Sequence, residues 1–135
     1  MRMELVVIDP QIDFCAPPGY LHAGHPGGSL YVPNAEKSME RVARLVERVG
    51  EKLSAIRVTL DTHRLVDVAH PLYWKDPEGR PPAPFTVISA ADVTRGVWSP
   101  ARPELRRRTL DYLTELERRG RYALCIWPPH CLIGS

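Results

Sequence analysis

Residues 3–8 (Met-Glu-Leu-Val-Val-Ile) form an apolar run without strict alternation, the pattern of a strand buried on both faces of a parallel sheet. A Gly/Pro-rich stretch follows to Pro33. Asn34 then stands where it can cap a helix, and Ala35, Met39, Val42, Val46, Val49 and Leu53 recur at spacings of four and three. Glu40 and Arg44 lie four apart on the outer face of that helix. Residues 55–60 read as a second strand with Ile56, Val58 and Leu60 on one face. Strand, helix and strand in this order predict a βαβ unit with parallel strands and a right-handed crossover.

From Asp61 to Pro103 there is little periodicity, apart from a short strand expected at Phe85–Ile88. The aromatics and prolines of that stretch (Tyr73, Trp74, Pro81, Pro82, Pro84, Phe85 and Trp98) mark an ordered flap over 72–103. A second amphipathic helix is predicted over 104–119, with Leu105, Thr109, Tyr112, Leu113 and Leu116 inward and Gly120 as its stop. A third strand, Tyr122–Ile126, then runs into Trp127-Pro128-Pro129-His130-Cys131.

Composition narrows the class. With 135 residues, 44% of them hydrophobic and 25% charged, the chain is suited to one globular domain and not to disorder. A formal charge of +2 is too small to indicate a nucleic-acid or membrane partner. Arg106-Arg107-Arg108 sits in a Glu-bearing helix and reads as a solvated face. Cys15, Cys125 and Cys131 form no even framework, and no apolar run reaches signal-peptide or membrane-spanning length, so a cytoplasmic location is expected.

Ligands of parallel α/β sheets sit beyond the carboxyl ends of the strands, where Asp9 and Asp61 fall. If the chain stays extended past the second strand, Asp61 and His63 point the same way and converge on one ion. His130, fixed after two prolines, could complete a two-His, one-carboxylate site with open positions, which Zn²⁺ or Fe²⁺ would suit. His70 is a further candidate ligand. The bland alternative has Asp61 capping a turn and the histidines serving as surface or hydrogen-bonded residues, the reading preferred for His22 and His25.

Three strings carry a family resemblance. Val7-Ile8-Asp9-Pro10-Gln11-Ile12-Asp13-Phe14 resembles the opening strand of the isochorismatase-like cysteine hydrolases, and Leu60-Asp61-Thr62-His63 their second strand. Trp127-Pro128-Pro129-His130-Cys131 resembles the signature of their nicotinamidase and pyrazinamidase branch. The resemblance implies a three-layer, Rossmann-like parallel sheet flanked by helices. It implies Asp9 as general base and Asp61, His63 and His130 as ligands of a divalent metal, zinc or iron, with His70 as a candidate fourth. Phe14 and Trp127 would pack on the ring of an amide substrate such as nicotinamide, while Gln11 and Asp13 support the loop. The implied reaction forms an acyl-enzyme on cysteine, loses ammonia and is completed by water.

The family's lysine and nucleophilic cysteine follow the Trp-Pro-x-His-Cys motif, and no cysteine here stands in that context. The chain therefore reads as the N-terminal part, 1–135, of a single cysteine-hydrolase domain that is inactive alone. An open edge along Leu5–Ile8 would invite a second copy or a missing C-terminal half. Two alternatives stay open: a non-catalytic interaction module or piece of a two-part assembly, and a metal-water hydrolase using Asp9 as base.

Overall fold

A computed structural model describes residues 2–20, 27–120 and 122–134 of the chain; His22 and His25 lie outside the described residues. The fold is mixed α/β. Its described strands form three separate two-stranded ladders, one parallel and two antiparallel, where the sequence predicted a single parallel sheet. The chain divides into two compact units, one running to Thr62 and the other spanning His63–Gly134.

In the first unit, β1 (Glu4–Val7) pairs in parallel with β2 (Ala55–Val58), with Leu5 opposite Ile56 and Val7 opposite Val58. The ladder continues through Thr59, whose N–H donates to the Val7 carbonyl at 3.0 Å. Helix α1 (Ile12–Cys15) is one turn, and α2 (Ala35–Val49) is the long helix that the hydrophobic spacing predicts. The stripe Ala35, Met39, Val42, Val46 and Val49 is half-buried, opposite the exposed Glu40–Arg44 ion pair.

Asn34 does not cap α2 in the expected way. Its backbone is left-handed (φ 67°) and its side chain makes no capping bond. That conformation turns the amide away from the first-turn N–H groups, and its Oδ1 accepts from Lys37 Nζ instead. Tyr31 takes over: its hydroxyl accepts from the Asn34 N–H and donates to Glu36, a carboxylate well placed in the first turn.

Among the described residues of this unit only Val7 and Ala16 are buried, while Val6, Ile8, Ile56, Val58 and Leu60 are exposed. The first strand, expected to be covered on both faces, is buried only at Val7, and Ile56, Val58 and Leu60, expected on one face of the second, are all exposed.

The second unit holds the larger core. Trp74, Ile88, Val93, Leu113, Leu124 and Ile126 form one buried cluster. It is built from β3 (Trp74–Lys75) against β5 (Ser99–Pro100), β4 (Val87–Ile88) against β6 (Leu124–Cys125), and helices α3 (Ala90–Arg95) and α4 (Arg106–Arg118).

The 72–103 stretch is therefore not a flap over something else; it supplies half of this core. Trp74 is 2% exposed, and its indole N–H donates to the Val68 carbonyl at 2.7 Å. Two-residue strands and a six-residue helix are too short for a hydrophobic period to show.

Helix α3 starts with a capping box. Ser89 Oγ accepts from the Asp92 N–H, and the Asp92 carboxylate accepts from the Ser89 N–H. Helix α4 matches the predicted span closely, with Thr109 and Leu113 buried and Gly120 closing it at φ 62°. Tyr112, expected to point inward, is 43% exposed; Leu110 packs against the core instead. The third strand pairs antiparallel with β4, so it does not extend the β1–β2 ladder.

Candidate metal centre

Three histidines of the second unit converge because backbone pairing brings their segments together. After β6 the chain continues extended, and the Trp127 N–H donates to the Ala69 carbonyl at 2.8 Å. Pro128 and Pro129 then hold the backbone away from helix. Cys131 turns it in a left-handed conformation (φ 47°), a sterically costly one for a residue with a Cβ. The turn lets the Cys131 carbonyl accept from the His63 N–H at 2.9 Å and the Ile133 N–H donate back to His63 at 3.0 Å. Leu132 and His63 form a parallel bridge. His130 and His63 are neighbours through this bridge, not through side-chain alternation.

His70 is delivered by a turn. One oxygen of Asp67 accepts from the Ala69 N–H at 2.9 Å, and the Asp67 carbonyl accepts from the His70 N–H at 2.9 Å. The ring centroids of His63, His70 and His130 lie 4.7–5.2 Å apart. Each ring offers one ligand nitrogen, and these lie within 4.8 Å of one another. Three histidines this close can hold a metal ion. Zinc–nitrogen bonds of about 2.0–2.1 Å at tetrahedral angles set ligand nitrogens about 3.3 Å apart, so the widest pair draws in by up to about 1.5 Å.

Protonation favours the same use. Nδ1 of His130 lies 2.8 Å from the Pro128 carbonyl, which can only accept, so a hydrogen bond there uses an N–H on Nδ1 and makes Nε2 the nitrogen that can ligate. Nδ1 of His63 lies 3.3 Å from an Asp67 carboxylate oxygen, with the same consequence. Imidazoles anchored through one nitrogen by a carboxylate or carbonyl are the usual form of metal-ligating histidine.

His70 is wholly buried, and its Nε2 stands 3.4 Å from Nδ1 of His130. Its own Nδ1 has no hydrogen-bond partner, an orphaned buried polar atom. Burial first, then His63 and His130, push the His70 pKa down, which keeps the ring in the neutral form a metal requires. For Asp67 burial acts upward, but the Ala69 N–H and His63 outweigh it and hold the carboxyl below its ordinary range. His63 keeps about a fifth of its side chain exposed, leaving the cluster open on that side.

Of the residues singled out in the sequence, His63, His70 and His130 are brought together here. Asp67 was not singled out, although its place four residues after His63 was a usable signal. Trp127 stands beside Phe85, edge to face at 5.8 Å, with 38% of its surface exposed.

Asp9, Phe14 and Asp61 belong to the first unit. Asp9 follows β1 in a left-handed conformation (φ 49°), and its Oδ1 accepts from the Thr59 hydroxyl at 2.7 Å. Asp9 and Phe14 line an open cleft of about 580 Å³ together with Cys15, Val32 and Met39. Gln11 clamps the Asp61 backbone reciprocally: the Asp61 N–H donates to Oε1 at 2.7 Å and Nε2 donates to the Asp61 carbonyl at 2.9 Å. Asp13 accepts from the N–H and hydroxyl of Ser29.

Burial first, and then the Glu36 charge, push the Cys15 thiol up, and Cys131 is buried.

Among the described residues no helix is long and apolar enough to cross a membrane. No protein-family model, curated protein or solved structure matches the chain.

Proposed function

We propose that the chain is the metal-binding part of an amidohydrolase resembling the nicotinamidases, holding zinc or iron(II) through His63, His70 and His130. The carrying observation is the convergence of three histidines, two anchored through Nδ1 and the third buried with an unpartnered nitrogen. A divalent cation there supplies Lewis acidity and an anchor for a ring nitrogen or carbonyl.

The residues themselves bind and orient. The histidines hold the ion, and Trp127 offers an exposed aromatic face suited to a pyridine ring. The resemblance further assigns Asp61 to the ligand set and Asp9 to proton abstraction. That Asp9 and Phe14 line one cleft supports the assignment of a general base and a ring-packing residue. On this reading the Rossmann-like sheet is completed by further strands, from more polypeptide or a second copy. The exposed Val6, Ile8 and Val58 support that completion. A cytoplasmic site of action goes with it.

Because no cysteine here stands in the nucleophile context of the resembled family, the 135-residue chain alone should release no ammonia from nicotinamide. The first test is metal content after purification without chelator. About one zinc or iron per chain in the wild type, with loss in His130→Ala, is expected; an unmetallated wild type that takes up neither ion overturns the reading.

A second reading, metal-assisted hydrolysis without cysteine, is favoured by the raised Cys15 thiol pKa and the burial of Cys131. Ammonia release that survives thiol alkylation and stops with chelator would select it.

A further inference from the structure

Asp67 touches two of the three histidines through different atoms. Its Oδ1 accepts from the Ala69 N–H and closes the turn that delivers His70, while its Oδ2 faces Nδ1 of His63 at 3.3 Å. We infer that Asp67 is the positioning residue of this metal centre, fixing the His63 tautomer with one carboxylate oxygen and the His70 segment with the other. The inference rests on the metal reading of the cluster.

A carboxylate can only accept hydrogen bonds, so it requires a proton on Nδ1 of His63 and leaves Nε2 as the ligand atom. Its negative charge also raises the electron-donating power of that ring toward a cation, as carboxylate–histidine pairs do at metal sites. Asp67 is itself held: its main-chain carbonyl accepts from His70, and its side chain is only 28% exposed. The rotamer that serves His63 is therefore the one the turn already demands.

Asp67→Asn separates the two jobs. The amide oxygen can keep the Ala69 bond, but the NH₂ group then faces Nδ1 of His63 as a donor. The His63 proton is driven to Nε2, the nitrogen the metal needs. Flipping the amide serves His63 and loses the turn. Either way one link fails, and second-shell losses of this kind weaken metal affinity by about 10- to 100-fold.

The experiment uses the full chain and zinc itself. Zinc affinity is measured by competition with a chromophoric chelator, and His63 ring ¹⁵N shifts are recorded without metal for wild type, Asp67→Asn and Asp67→Ala. We expect the Nδ1–H tautomer in the wild type, a shift toward Nε2–H in Asp67→Asn, and zinc affinity lowered 10- to 100-fold. Unchanged circular dichroism of Asp67→Asn separates positioning from unfolding; if it does not fold, the Asp67→Ala tautomer mixture carries the same test. A tautomer unmoved by either variant, or zinc affinity within twofold of wild type, overturns the role of Asp67. A wild type that binds no zinc overturns the metal reading instead, while the tautomer result still decides whether Asp67 orients His63.

Discussion

Replacing His70 with leucine should make the metal-free protein more stable and the zinc-loaded protein less stable, reversing the order of the two proteins. His70 is fully buried with Nδ1 unpartnered, and its Nε2 contact to His130 is long at 3.4 Å. An unsatisfied buried polar group costs about 1–3 kcal/mol, and the long contact returns less than an ordinary hydrogen bond. Leucine comes close to the imidazole in size and keeps both backbone bonds of the segment, from His70 N–H to Asp67 and from Tyr73 N–H to His70. Imperfect shape will take back part of the gain. We expect a net gain of about 1 kcal/mol without metal, or about 3–4 °C in Tm for 135 residues unfolding together.

Zinc changes the sign. Free metal at 100 times its Kd stabilises the wild type by about 2.7 kcal/mol, whereas a variant stripped of one ligand should gain little. The assay is thermal unfolding in chelator and in buffered zinc, followed by tryptophan fluorescence, since Trp74 lies in the core of the same unit. A His70→Leu protein that melts below wild type in chelator refutes the cost assigned to the orphaned nitrogen. Equal zinc-induced shifts in both proteins refute His70 as a ligand.

Three further outcomes test the scaffold. The Ser89 hydroxyl first, then the Ser89 N–H and, after opposing burial, Arg95 hold the Asp92 carboxyl below its ordinary range. That contribution is present above the unfolded-state value of about 3.9 and is lost as pH falls through the lower folded-state value, so Asp92→Asn should flatten the acid dependence of Tm below about pH 4. Ser89→Ala should cost about 1 kcal/mol at neutral pH; a parallel acid profile for Asp92→Asn would show that the box contributes nothing. Gln11→Leu removes the donor and acceptor that clamp the Asp61 backbone, a loss of about 1–3 kcal/mol, so the Asp61 amide should exchange roughly tenfold faster or more. Unchanged protection of that amide would mean the clamp is incidental.

The long elements were legible in the sequence because their hydrophobic spacing repeats over enough residues to register. Helix α2 from Ala35, helix α4 with Leu113 inward, and the parallel β1–β2 pair all follow from such repeats. The core around Trp74 was not legible. Its strands are two residues long, and half of the side chains that fill it come from a proline-rich stretch whose order is set by tertiary bonds such as the Trp74 indole to Val68. A buried tryptophan amid prolines pointed to order, but not to the core of the unit. The Asn34 cap failed for a local reason: Asn tolerates a left-handed backbone, and in that state its amide is out of reach of the helix N–H groups.

The candidate metal centre divides along the same physical line. Reading ligands from side-chain alternation at strand ends brought Asp61 and His63 forward and left His70 as a weak candidate seven residues on. The rings are in fact assembled by backbone pairing and turns: His63 is bridged to Leu132 beyond the Cys131 turn, and His70 is presented by the Asp67 turn. Turn chemistry was available in the sequence, because Asp followed two residues later by Ala and then by His-Pro is a pattern in which the carboxylate accepts from the i+2 amide. Once that turn is drawn, the free oxygen of Asp67 faces back toward residue 63. A carboxylate four residues after one histidine and three before another is thus better read as the joint between two ligands than as a third ligand. The Asp67→Asn tautomer measurement is where that reading can fail.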